Sequence, residues 1–366
     1  MSGPMPSPEI LQVLRKGVVI PATPLALDDD RKLDERRQRA LYRYYVAAGS
    51  GGVAVAVHST QFEIREPQHG LFKPVLEIGA EELTNHRFTA GRPIVKIAGV
   101  CGNTTQAVAE AGLAVSLGYD AALLSLAALK NATEDELIAH CREVAAVVPV
   151  IGFYLQPAVG GRVLPYSFWR RFAEIENVIA IKMAPFNRYQ TFDVVRAVAE
   201  AGRENDITLY TGNDDNIIAD LLAPYVIRTA GGEKRLRIRG GLLGQFCVWT
   251  ERAVALLREI HQVTATVDAG KAADVAEQIS ALLQKNIELT DANAVVFDAA
   301  NKFAGCIPGI HEVLRRQGLM ANVLCLNPRE VLSSGQSEEL DRIQKSYAWM
   351  QDDDFVREHL DEWLAG

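Results

Sequence analysis

Short apolar runs rich in β-branched residues alternate, over the first two thirds of the chain, with longer segments of helical spacing. The runs Val18–Ala22, Val53–Val57, Ile94–Ala98, Ala121–Ser125, Val150–Tyr154, Val178–Lys182 and Ile207–Thr211 predict strands, and Arg237–Leu243 predicts an eighth from a weaker signal. Most are continuously apolar rather than alternating, the pattern of parallel strands covered on both faces. Between them Thr105–Leu117 is alanine-rich, and Thr133 with Glu136 forms a capping box that opens a helix to Val147. Pro165–Glu174 and Asp193–Ala201 continue the scheme. Eight strands with intervening helices predict an α/β fold, a (β/α)8 TIM barrel rather than an open sheet.

After Thr250 the strand signals stop. Arg252–Ala265, Gly270–Leu289, Ala292–Phe303, Ile310–Gly318, Ser337–Met350 and Asp354–Leu364 all predict helices. The expected organisation is an N-terminal segment (1–16), a barrel (17–265) and a C-terminal helical extension (266–366) packed on it. No Ser/Gly-rich linker separates the last two, so one compact unit is expected.

Composition narrows the function classes. With 366 residues and 48% hydrophobic content, the chain can bury a large core, which excludes disorder for most of it. Thirty-eight Lys and Arg against 46 Asp and Glu give a net charge of −8, so no general nucleic-acid-binding surface is expected. A small anion held by a few local groups remains compatible. Cys101, Cys141, Cys247, Cys306 and Cys325 form no CxxC pair and are odd in number, as for free thiols in a reducing compartment. Met1–Pro8 lacks a basic start followed by an apolar stretch, and no apolar run approaches the roughly 20 residues that span a bilayer. A cytoplasmic protein without membrane or nucleic-acid partners is expected.

In such a barrel the reactive groups sit at the C-terminal ends of the strands. Lys182 closes Val178–Lys182. Partial desolvation there lowers a lysine's pKa and frees a neutral amine to condense with a ketone. The alternative is a lysine that snorkels to the barrel mouth or pairs with a carboxylate. Lys96 lies earlier in its run, nearer the middle or bottom of the barrel, where a buried ion pair is the commoner use. Tyr154 can relay protons if a hydroxyl and the lysine share its pocket; alone, it packs and makes one hydrogen bond. His58, Ser59 and Thr60 follow the second strand, and two hydroxyls with turn amides can hold a carboxylate. Asp214 and Asp215 read as general acid/base groups, as metal ligands, or as the N-cap of the next helix, the commonest of the three.

The order of these residues resembles the dihydrodipicolinate synthase/N-acetylneuraminate lyase family. The resemblance rests on the strand-end Ser59 and Thr60, on Tyr154 with Pro157, on Ile181 with Lys182, and on Gly212 with Asp214 and Asp215. The opening Ile20–Pro24 is similar to the family's first strand, and the likeness runs from Lys16 to Met320. It implies class I chemistry on 2-oxo acids such as pyruvate, with no metal and no cofactor beyond a covalent lysine imine. Lys182 then falls on the Schiff-base lysine and Tyr154 on the proton-relay tyrosine. Ser59 and Thr60 fall on the pair that binds the oxo-acid carboxylate and extends the relay. His58, with Gly241 and Leu242 of the glycine-rich run Gly240–Gly244, completes the expected substrate contacts. A homo-oligomer, dimer or tetramer, is also implied.

Departures accompany the matches. The family's Gly-Thr-Thr-Gly-Glu is here His58–Phe62, so both glycines and the glutamate are lost, and His58 either lines the pocket or fills space. The expected arginine is Val159, for which Arg162 is a candidate substitute, and no tyrosine stands near Ala127 and Ala128. These losses point away from true dihydrodipicolinate synthase and from a sialic acid lyase. Arg235, Arg237 and Arg239, in an apparent insertion with Lys234, share one face of an extended segment. A solvated or interface-paired face is preferred there to a rim that steers acidic substrates. The leading reading is a divergent Schiff-base lyase, aldolase or dehydratase on a 2-oxo acid of undefined tail. The alternative is a non-catalytic oxo-acid-binding barrel that has lost turnover. A metal-dependent barrel using His58, Asp214 and Asp215 rests on ligands too few and too common to be specific.

Overall fold

The computed structural model describes residues 5–365. Residues 1–4, part of the stretch read for a leader, and residue 366 lie outside them. Among the described residues nine strands are present: β1 (Val19–Pro21), β2 (Gly52–Val55), β3 (Val95–Val100), β4 (Ala121–Leu124), β5 (Val150–Leu155), β6 (Val178–Ala184), β7 (Thr208–Thr211), β8 (Pro224–Thr229) and β9 (Gly232–Leu243). All but β8 form one parallel sheet in the order β1-β9-β7-β6-β5-β4-β3-β2. A parallel bridge between Ala22 and Ala54 joins its two ends, so the sheet curls into a (β/α)8 barrel. The continuous apolar runs have their cause here, since side chains of both parities are buried.

β8 is a difference from the sequence reading. It pairs antiparallel with the first half of β9, so the basic segment forms a hairpin arm and only its far half enters the barrel. Pro224–Thr229 is largely exposed, with only Ile227 buried, so it lacks the continuously buried apolar run by which the barrel strands were read. The arginines of this arm are largely neutralised. Arg237 makes a bidentate pair with Asp268 at 2.8 and 2.7 Å, Arg235 approaches the same carboxylate at 3.2 Å, and Lys234 pairs with Glu204. They lie where β9 enters the barrel, at the end opposite the strand C-termini.

Helices cover the barrel, and several of them are started by a side-chain cap. Thr133 and Glu136 cap one another at Glu134–Ala145, and Asn103 accepts from the Gln106 amide at Thr104–Ser116. Arg188–Glu200 begins one turn earlier than the apolar pattern suggested, because Asn187 accepts from the amides of Tyr189 and Gln190. Past the barrel helix Thr250–Asp268, one long helix, Ala276–Val296, replaces the two expected over 270–303. Thr290 and Asp291 do not break it, and the chain turns only at Asp298, with φ 56°. Cys306–Arg316, Gln336–Ser346 and Asp353–Ala365 complete the chain. No described helix is long and apolar enough to cross a membrane.

A single hydrophobic cluster runs from Leu14 through the barrel to Trp363. The last helix is fastened where Trp363 packs on Tyr44, at 5.5 Å between rings, while Arg43 donates to its carbonyl at 2.7 Å. Arg43 is itself buried and paired with Glu82 at 2.7 Å, so this contact ties the C-terminus to two barrel helices. Replacing Trp363 by Ala empties that seat and is expected to cost about 3–5 kcal/mol. Urea unfolding followed by circular dichroism checks it; an unchanged midpoint would show that the last helix is an independent appendage.

Candidate active site

A cavity opens at the C-terminal end of the barrel, lined by residues from β5 and β6, from the segments after β1, β2, β5, β6, β7 and β9, and from the C-terminal region. Lys182 reaches into it from β6 and is only 8% exposed. Space for its side chain comes from Gly212, where a Cβ would stand 2.7 Å from the lysine Cε. Phe153, its register partner on β5, places its ring centroid 4.3 Å from the amine. Lys182 makes no salt bridge among the described residues, and burial pushes its pKa down, with Asp214 and Cys247 partly offsetting the fall. Lys96, near the start of β3, is no part of the cavity.

Asp214 is the second ionisable group of the cavity. Burial raises its pKa, and Lys182 and the Gln245 amide, 3.4 Å from Oδ1, pull it partly back. It does not cap the following helix, whose N-cap position is Asn216. Its loop is fixed from both sides. Asn213 accepts from the Phe186 amide at 3.0 Å and donates to Asp220 at 2.9 Å, and Asp220 also accepts from Thr211 at 2.7 Å. From the C-terminal region, Asn293 donates to the Asp214 carbonyl at 2.7 Å and Thr290 to the Asp215 carbonyl at 2.9 Å. Asp215 instead faces Arg188 at 3.9 Å. Among the described residues no three His, Cys, Asp or Glu side chains are grouped to hold a metal ion.

The turn after β2 brings His58 and Ser59 to the cavity. The Ser59 hydroxyl donates to the Ala22 carbonyl, and the amides of His58 and Ser59 find no acceptor among the described residues. Burial, with the Lys182 charge, pushes the His58 imidazole down to about 4, which keeps it neutral near pH 7. Thr60 is fully buried behind this wall; its hydroxyl donates to the Thr23 carbonyl at 2.6 Å and accepts from the Val57 amide at 3.1 Å.

Several expected residues are not brought to the cavity. Tyr154 points outward beneath the helix Tyr166–Phe172, its ring 5.2 Å from Trp169 and its hydroxyl accepting from the Leu164 amide at 3.2 Å. The cause is a register shift between Val150 and Ile151, which sets Phe153 rather than Tyr154 opposite Lys182. Arg162 donates to the carbonyls of Leu129 and Ala132 at 2.6 and 3.1 Å and ties two loops together, while Val159 lines the cavity. Gly241 and Leu242 lie in the ladder with Val19 and Ile20, and it is Gly244 that meets the cavity.

Sequence reasoning missed the apolar lining. Phe153 carried a signal in strand parity, but only once the partner register is known. Phe186, Phe297, Phe303, Cys306 and Ile310 carried none, since they arrive from a loop and from helices beyond the barrel.

The chain belongs to the dihydrodipicolinate synthetase family, whose model matches residues 16–225. It is 27% identical over 256 residues, 67% of this chain and 80% of the relative, to the 4-hydroxy-tetrahydrodipicolinate synthase of Moorella thermoacetica. Against the enzyme of that name from Thermoanaerobacter sp. (strain X514), identity is 29% over 132 residues, and the chain spans only 42% of that relative's length. N-acetylneuraminate lyase from Fusobacterium nucleatum superposes with a TM-score of 0.68 at 17% identity, covering 91% of this chain and 99% of that one. A prophage protein of E. coli K12, of the dihydrodipicolinic acid synthase family and in complex with pyruvate, gives 0.66 at 18%, covering 89% and 97%.

Because the Asp214 charge opposes the fall in the Lys182 pKa, Asp214→Asn is expected to lower that pKa further. Competitive acetylation across a pH series, read on the Lys182 peptide by mass spectrometry, gives the titration directly. A curve that stays in place or moves to higher pH would show that the two groups do not interact.

Proposed function

We propose that this chain is a class I lyase or aldolase that forms an imine between Lys182 and a 2-oxo acid such as pyruvate. The observation that carries the reading is a buried, unpaired lysine, its pKa lowered, projecting into a cavity at the C-terminal end of a barrel. The neutral amine attacks the C2 carbonyl, and loss of water leaves a protonated imine. The cationic imine withdraws electrons from C3, so a bond to C3 breaks with its electron pair entering an enamine. The free amides of His58 and Ser59 suit the substrate carboxylate, as backbone dipoles that meet a negative charge, while the Ser59 hydroxyl is engaged by the Ala22 carbonyl.

Proton movement falls to Asp214. Burial places its protonation equilibrium above the ordinary carboxylate range, so near neutral pH it can both accept and return a proton. Tyr154 and Thr60 take no direct part in this reading, because neither lines the cavity. The altered turn after β2 and Val159 argue against the synthase reaction named for the curated relatives. One observation favours a second reading, an oxo-acid-binding barrel without turnover: Phe153, which bears no proton to exchange, stands opposite Lys182.

Treatment with pyruvate and borohydride, followed by peptide mass mapping, tests the chemistry. A pyruvate-dependent reduced adduct on the Lys182 peptide is expected, absent from Lys182→Ala. No adduct with pyruvate or longer 2-oxo acids would remove the imine. An adduct in Asp214→Asn that forms but turns over at least about 100-fold more slowly would fit an acid/base role, which typically contributes 10²–10⁴-fold. Undiminished turnover would assign the proton to another group.

A further inference from the structure

We infer that the reacting aldehyde, or the tail of the 2-oxo acid that releases it, is uncharged and apolar, an aromatic group being the best match. The inference rests on the imine reading above and concerns the part of the cavity beyond Lys182.

The cavity is divided by chemistry. His58, Ser59 and Asp214 line the cavity together with Lys182 and form its polar end. The remaining wall is dominated by Leu155, Val159, Phe186, Phe297, Phe303 and Ile310. Val159, Phe186 and Phe303 are half-buried toward the mouth, whereas Phe297 and Ile310 are 4% and 1% exposed. Gln156 is a further polar group, but it is neutral.

Two arguments exclude a charged tail. Lys182 is the only Lys or Arg side chain in the lining among the described residues, and it is committed to the imine. A second carboxylate would lose its hydration without gaining a partner, which is costly in an apolar site. Arg162, the cation nearest in sequence to Val159, is held by two backbone carbonyls instead. A polyhydroxylated tail fares little better, since beyond the amine end its hydroxyls would meet mostly aliphatic and aromatic groups, with Gln156 as the main side-chain partner.

The aromatic wall is also held at a cost. Phe186 and Phe303 both adopt positive φ, 51° and 67°, and their rings meet edge to face at 5.8 Å. Bulky residues seldom occupy that region, and such strain persists where the surrounding structure over-determines it, commonly at ligand sites. Phe186 follows β6 and Phe303 comes from the C-terminal region, so two separate strained segments converge on one wall. Apolar rings of this kind favour an aromatic guest by area and by edge-to-face contact.

In the condensing direction, C3 of the enamine attacks the aldehyde carbon. The new C–C bond takes the enamine electron pair, and the aldehyde oxygen receives a proton as it becomes a hydroxyl. Hydrolysis of the imine then consumes one water and releases a 4-hydroxy-2-oxo acid. Atoms and electrons balance without an oxidant or reductant.

The test offers the full-length protein pyruvate with benzaldehyde, glyceraldehyde or succinic semialdehyde, and measures kcat/KM for each product by chromatography. Benzaldehyde is expected to exceed both others by at least about 10-fold, within the range that pocket contacts supply. Val159→Arg, which adds a cation to the half-buried wall, is expected to shift the ratio toward succinic semialdehyde by about 10-fold or more. Borohydride trapping separates the failures. If pyruvate forms the Lys182 adduct but the polar or charged aldehyde reacts as well as benzaldehyde, or none reacts, the apolar-tail inference is overturned while the imine stands. If no 2-oxo acid forms an adduct, the imine reading fails and takes this inference with it.

Discussion

Burying the Lys182 amine costs free energy unless its charge is compensated, and in this barrel the compensation is deliberately incomplete. Asp214 lies within electrostatic reach yet forms no ion pair with the lysine, and each group's burial pushes its pKa toward the other's. A tight salt bridge would hold the amine protonated and unreactive. Complete isolation would make the charged form prohibitively expensive. Between these limits, burial favours the neutral form of each group while the other's charge opposes it. Gly212 gives the lysine room, and the Asn213–Asp220–Thr211 network fixes the loop that carries Asp214.

The C-terminal region is part of this arrangement rather than a cover added to a finished barrel. Asn293 and Thr290 hold the Asp214 loop through its carbonyls, and Phe297, Phe303 and Ile310 close the cavity. Trp363 and Arg43 then fasten the far end of the chain to the barrel helices. Packing energy distributed over the extension therefore bears on the geometry of a few side chains at the cavity. The edge-to-face pair of Phe186 and Phe303 shows the coupling, since one ring belongs to the barrel and the other to the extension.

Much of the fold was legible because buried parallel strands must be apolar on both faces, and seven such runs stand out between helices. The lysine at the end of one of them was legible for the same reason, as an isolated charge where none is expected. Tyr154 illustrates the limit. Counting from Val150 opposite Val178 places Tyr154 opposite Lys182, but the irregularity after Val150 moves the pairing by one residue and turns the phenol outward. Side-chain parity in a strand is set by its neighbour, which local sequence does not encode. The β8–β9 arm was hidden because most of β8 and the first part of β9 are exposed and short of apolar residues, and the aromatic wall because its residues meet only through tertiary packing.

The proposed reaction depends on a covalent imine forming at Lys182. The most direct measurement is a carbon NMR spectrum of the protein with pyruvate labelled at C2. A protein-bound imine carbon resonance is expected, and it is expected to be missing from Lys182→Ala. Only the free ketone and its hydrate, in both proteins, would contradict it.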